Sequence, residues 1–219
     1  MPQHSLALLE QLHRRCVQMG AMVQSTLRRA VEALLAGDGD VFAAVADEEA
    51  RIDAEEVDLE RQAITMLALQ APAASDLRTV LAIVKINADL ERIADCALNI
   101  AQQITPLSME ARELPRDLRD MAEAVLKQMD DTMTCLQNRD PQLAEVVCRG
   151  DDAIDAVYHQ LLRERQAAMM SNPRFVPAEL AMIMIARNLE RVGDHCTNIA
   201  EDVLFRMRGR IVRHTHDPR

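Results

Sequence analysis

Tryptophan is absent from these 219 residues, and the other aromatics amount to three Phe and one Tyr. A β-sandwich leans on aromatic and β-branched side chains to fill its interior, so that scarcity argues against one. The core must come instead from Leu, Ile, Val, Ala and thirteen Met, a set suited to packed helices. Glycine is scarce too, at six residues, and no Gly-rich phosphate loop is evident. Basic side chains fall short of acidic ones, 25 against 35, for a formal net charge of -10. That balance argues against a broad nucleic-acid surface and towards cationic ligands or basic partners. The five cysteines, Cys16, Cys96, Cys135, Cys148 and Cys196, form an odd set with no C-x-x-C spacing. Neither a disulfide framework nor a zinc ribbon is suggested, and a reducing compartment fits best. Met1-Pro2-Gln3-His4 carries no basic segment followed by an apolar stretch, and runs such as Leu180 to Ala186 fall far below the ~20 residues that span a bilayer. The expectation is a cytoplasmic protein without membrane insertion.

What is present is helical periodicity. Leu9, Leu12, Cys16, Met19, Val23, Leu27, Val31 and Leu34 recur at three- and four-residue steps, one stripe of a long helix. Such segments are interrupted at Gly37-Asp38-Gly39, Ala71-Pro72, Pro106 to Pro115, Asp140-Pro141 and Asn172-Pro173. The spacing predicts six helices, over residues 5–36, 40–70, 75–104, 116–138, 141–171 and 177–207. Ser75 reads as an N-cap, and Asp140 before Pro141 as a strong helix start, because a capping carboxylate precedes a ring that needs no N–H partner. Short links between long helices imply antiparallel bundles.

The chain also repeats itself. Leu90-Glu91-Arg92-Ile93-Ala94-Asp95-Cys96-Ala97-Leu98-Asn99-Ile100-Ala101 matches Leu189-Glu190-Arg191-Val192-Gly193-Asp194-His195-Cys196-Thr197-Asn198-Ile199-Ala200 nearly letter for letter. Upstream, Glu49 and Asp53 correspond to Asp151 and Asp155. The fold class expected is therefore all-α, two tandem antiparallel three-helix bundles related by duplication, over 1–106 and 115–207, with a basic tail at 208–219. Each half carries two acidic-x-x-x-Asp pairs, one on its second helix and one on its third. Residues at i and i+4 share a helix face, where unpaired like charges repel by a few tenths of a kcal/mol, roughly, and by more where water is thin. Facing helices would gather Glu49, Asp53, Glu91 and Asp95 at one site, and Asp151, Asp155, Glu190 and Asp194 at another. All-oxygen ligation suits Mg, Ca, Mn or Fe more than structural zinc. Asn99 and Asn198, one turn beyond Asp95 and Asp194, are possible supporting ligands. A lone acidic pair is ordinarily solvated surface; four pairs in two matched positions favour a site. Arg92 and Arg191 read as salt-bridge partners of neighbouring acids, His195 as a lone helix residue off the acidic face, and Met182 to Met184 as core.

At these residues the chain resembles the PhoU family of phosphate-signalling and phosphate-transport accessory proteins. Gln70-Ala71-Pro72-Ala73-Ala74-Ser75-Asp76-Leu77-Arg78, Leu90-Glu91-Arg92-Ile93 with Asp95, and Leu189-Glu190-Arg191-Val192-Gly193-Asp194-His195 with Asn198 carry the resemblance, which runs from about residue 5 to 206. It implies tandem three-helix bundles and metal clusters held by the paired acidic motifs, with Fe, Mn, Mg or Zn as the ion. It further implies a cytoplasmic regulator, commonly a homodimer, that links the ATPase subunit of a phosphate ABC transporter to a sensor histidine kinase and represses the starvation response when phosphate is plentiful. The first repeat departs from the second by Ala94 and Cys96 in place of Gly193 and His195, which sets the surroundings of the first site apart from those of the second. The competing class is a carboxylate-bridged metalloenzyme, but such bundles use a Glu-x-x-His pair on two helices, and no such pair lies beside these motifs. No catalytic residue is expected. A structural adaptor whose acidic faces dock basic segments is the third reading.

Overall fold

Each apolar stripe of the sequence becomes the buried side of one helix. In the computed structural model, which describes residues 3–70, 74–109 and 113–209, the order is α1 (Gln3–Ala36), α2 (Phe42–Gln70), α3 (Ala74–Met109), α4 (Arg116–Asn138), α5 (Pro141–Ser171) and α6 (Val176–Arg208). Short 3-10 turns at Gly39–Val41 and Pro173–Phe175 lead into α2 and α6. The stripe from Leu9 to Leu34 is buried throughout. Met182 is buried as expected, whereas Met184 is exposed.

Two departures from the expected elements have physical causes. Pro106 lies inside α3 rather than ending it, and the helix runs on to Met109. A proline there removes one backbone hydrogen bond, while Ile104 and Leu107 on either side stay buried and hold the last turn in place. Ser75 does not cap α3, which already begins at Ala74, and its carbonyl accepts from the Thr79 hydroxyl. The tail from residue 210 lies outside the described residues.

The starts of α2 and α5 follow one recipe. Asp140 accepts from the backbone N–H of Gln142 and Leu143 ahead of Pro141. Asp38 accepts from the N–H of Asp40. The preceding helices close alike: the N–H of Asp38 reaches the Ala33 carbonyl and that of Asp140 reaches the Cys135 carbonyl, the Schellman arrangement, which needs a left-handed residue one position earlier. Gly37 fills that place in the first half at φ 71°, and Arg139 in the second at φ 56°.

Within each half the three helices pack on one another, and the halves meet through α1 on α4 and α3 on α6. Partners run in opposite directions along both contacts. On α3 and α6, Gly209 sits beside Arg78, Lys85 pairs with Asp202, and Asp89 meets Asn198 and His195. On α1 and α4, Glu10 pairs with Arg139 and Arg28 with Asp130. One apolar core runs through all six helices without a break between the halves. Among the described residues, no helix is long and apolar enough to cross a membrane, and all five cysteines are free thiols.

Candidate metal centre

In the second half, α5 and α6 lay their acidic pairs against each other. Asp151, Asp155 and Asp194 each offer a carboxylate oxygen, and the three oxygens lie within 4.8 Å of one another. That spacing suits a hard cation with ligands ~2.0–2.6 Å away. Asp151 Oδ1 and Asp155 Oδ1 are buried without a hydrogen-bond partner. A buried oxygen left so costs roughly 1–3 kcal/mol, and the donor set fits a cation that would satisfy both. Burial, then the charges of Asp194 and Asp155, push the Asp151 carboxyl up to about 6, against a smaller opposing effect of the Thr197 hydroxyl. Glu190 is raised by burial and then by Asp194, Asp155 and Asp151. Asp194 faces solvent on its outer side, yet partial burial and Asp155 raise it as well. Four carboxylates thus share one small region, as the i, i+4 spacing anticipates.

The first half gathers its acids more loosely. Burial, then Asp53 and Asp95, raise Glu49; burial and Asp95 raise Glu91, with partial relief from Arg92. Glu49 and Glu91 therefore both feel the charges of Asp53 and Asp95. Arg92 lies across them: its Nε is 3.2 Å from Glu91 and its Nη1 2.9 Å from Asp95. Among the described residues, no hydrogen bond or ion pair joins the corresponding Arg191 to the second cluster. The sequence reading missed Glu56, whose carboxylate is raised by burial, then by Glu60 and Asp53, and which accepts from the Asn87 amide at 3.2 Å. Glu56 stands one helical turn beyond Asp53, a signal that was available.

The PhoU domain family matches this chain twice, at residues 16–104 and 118–203, one match per half. The chain belongs to the PhoU family. Relatives in PhoU include the "Phosphate-specific transport system accessory protein PhoU homolog" of Rhizobium meliloti, 33% identical over 92% of this chain and 86% of that protein. The Aquifex aeolicus protein of the same name is 35% identical over 95% of both. The crystal structure of PhoU from Pseudomonas aeruginosa superposes with a TM-score of 0.88 at 34% identity, over 93% of this chain and 99% of that one. The phosphate transport system regulatory protein PhoU from Streptococcus pneumoniae superposes with a TM-score of 0.86 at 26% identity, over 93% and 97%. These PhoU proteins are named as accessory or regulatory, none as an enzyme.

Two further residues of this PhoU chain reach across to the other half. His195 is not a lone helix residue: its Nδ1 lies 2.8 Å from Asp89 Oδ1 on α3. Asn198 donates to the same Asp89 oxygen at 3.3 Å, so its amide serves the joint between the halves. Periodicity along α6 could not foresee this, because the partner comes from the other half.

Proposed function

We propose that this protein is a metal-dependent regulator of a phosphate-specific transport system, acting as a cytoplasmic adaptor between the transporter's ATPase subunit and a sensor histidine kinase. The names of its relatives supply the transport context. The observation that carries the metal reading is the grouping of one carboxylate oxygen each from Asp151, Asp155 and Asp194 within 4.8 Å of one another, beside a buried, partnerless oxygen on each of Asp151 and Asp155. A bound cation supplies positive charge between the facing acidic pairs. The residues of α5 and α6 would then be held in one geometry, and with them the outer surface of the bundle.

The adaptor reading draws support from the surface. The offset that takes Leu90 to Leu189 takes Leu77 to Val176 and Leu81 to Leu180. All four are exposed apolar residues one turn apart on α3 and α6. A protein that meets two partners, or a second copy of itself, has use for two such matched apolar faces. An oxidase of the carboxylate-bridged kind finds no support, since no Glu-x-x-His pair lies beside the acidic motifs.

The test is elemental analysis of protein purified without chelator, beside a folded Asp155→Asn/Asp194→Asn variant. Bound Fe, Mn, Mg or Zn that vanishes in the variant is the expected result. Binding of the ATPase subunit and of the kinase's cytoplasmic portion is then measured with and without chelator. Metal-free protein that binds both normally would sink the metal-dependent part and leave the adaptor.

A further inference from the structure

We propose that Gln128, on α4, belongs to the second acidic site and offers its side-chain oxygen to the cation held by Asp151, Asp155 and Asp194. This rests on the metal reading given above. Gln128 is only 7% exposed. Its Nε2 donates to the Thr197 hydroxyl at 3.4 Å, and Thr197 in turn bonds Asp151. With the amide nitrogen so placed, Oε1 is buried and has no partner.

Glycine at 193 is what makes room for this. A Cβ there would meet Gln128 Oε1 at 3.2 Å and Asp151 Oδ1 at 3.5 Å. The two partnerless oxygens therefore flank one notch in α6, between α4 and α5. A further donor, from the third helix of the half, is chemically apt because the cluster already holds four carboxylates, and an amide oxygen adds a ligand without adding charge. Amide carbonyls are ordinary ligands for hard divalent ions. In the first half the buried, partnerless amide oxygen belongs to Asn87 on α3, whose amide nitrogen donates to Glu56, and not to a residue of α1. The offset that takes Asp53 to Asp155 takes Thr26 to Gln128, and the Thr26 hydroxyl is already committed to the Met22 carbonyl and to Glu48. Ala94 fills the place of Gly193.

If the inference holds, metal at the second site touches all three helices of its half, and α4 carries its state to α1 through their contact.

The experiment is a Mn2+ titration of the full chain, read by the electron paramagnetic resonance of free Mn2+, with the first cluster disabled by Glu49→Gln/Asp95→Asn. Gln128→Met, which keeps length but removes the oxygen, is expected to weaken binding about tenfold or more. Gln128→Glu restores or tightens it; if the amide turned its NH2 towards Asp151 instead, the added charge would weaken binding and overturn the proposal. Gln128→Met binding within about twofold of the parent also overturns it, while Asp151→Asn losing binding would keep the metal reading intact. A parent that takes up no Mn2+ fails the metal reading, and this proposal with it. Should Gln128→Met lose its helical circular dichroism, Gln128→Asn carries the same expectation, because it withdraws the oxygen by one methylene.

Discussion

The two acidic clusters occupy matching places on matching helices, yet their surroundings treat the same charges in opposite ways. Over the first, Arg92 answers Glu91 and Asp95 from within the chain. Around the second, partnerless oxygens of Asp151, Asp155 and Gln128 converge near Gly193. Like charges brought together must be neutralised by a neighbouring cationic side chain, by protons or by an ion. At the first cluster Arg92 pairs directly with two of the acids, whereas at the second Arg191 and His195 relieve Asp194 only through their charge. Duplication thus preserved the backbone positions of the acids, while single residues next to them set what each cluster can do.

The sharpest way to break the comparison is to ask which cluster confers metal stabilisation. At Mn2+ about a hundredfold above its dissociation constant, the expected gain is about 2.7 kcal/mol, or a rise in Tm of roughly 5–10 °C for a chain this size. Asp155→Asn/Asp194→Asn should abolish most of that rise in scanning calorimetry, and Glu49→Gln/Asp95→Asn should leave most of it. The reverse ranking would overturn the contrast.

A second test uses pH on metal-free protein. The Asp151 carboxyl sits at about 6 when folded, above its ordinary 3.8, so the folded state holds that proton more tightly. Its contribution to stability is greatest at low pH and is lost as pH rises from about 4 through 6. Discounted for solvent screening, acidification from pH 7 to 5 should recover about 1 kcal/mol from this group, a share that Asp151→Asn lacks. His13 works in the opposite sense. Burial, then Arg206 and Arg139, push it down to about 4, so what it contributes is present above its ordinary 6.5 and lost as pH falls towards 4. Equal pH profiles for wild type and Asp151→Asn would remove Asp151 from the account.

Arg92→Gln probes the first cluster directly. Its ion pairs are largely exposed, so stability should fall by no more than about 1 kcal/mol. Mn2+ affinity at the first cluster should rise in an Asp155→Asn/Asp194→Asn background, and an unchanged affinity would mean that Arg92 is not what separates the clusters. The smallest effect concerns the two left-handed helix ends. Gly37→Ala should cost about 1 kcal/mol in urea denaturation. Arg139→Gly relieves similar strain but loses the pair with Glu10, leaving a net change within about 0.5 kcal/mol.

Most of the architecture was legible because helix signals are local. The apolar stripe of α1, the Asp140-Pro141 start and the echo of Leu90–Ala101 in Leu189–Ala200 depend on residues within a few turns of one another. Pro106 misled because a local breaker was outweighed by the burial of Ile104 and Leu107, which is tertiary. The acidic residues were legible for the same reason as the helices: i, i+4 spacing fixes a shared face. What approaches that face was not. Gln128 comes from α4 and Asp89 from the other half, and nothing in the spacing along α5 or α6 announces either. Gly193 against Ala94 and His195 against Cys96 hinted that the two sites differ, and the meaning of the glycine needed the oxygens that flank its notch.

The antiparallel seam of α3 and α6 has a consequence for ancestry. Two equivalent helices running opposite ways across one another are related as in a twofold symmetric dimer. A free three-helix unit would bare the α3 surface that α6 now covers, and its natural cover is another copy of the same unit. Fusion of two such units would turn an encounter between molecules into one within a chain, at an effective concentration on the order of millimolar. Once the two copies no longer had to be identical, one could keep an alanine, Ala94, where the other opened a notch at Gly193.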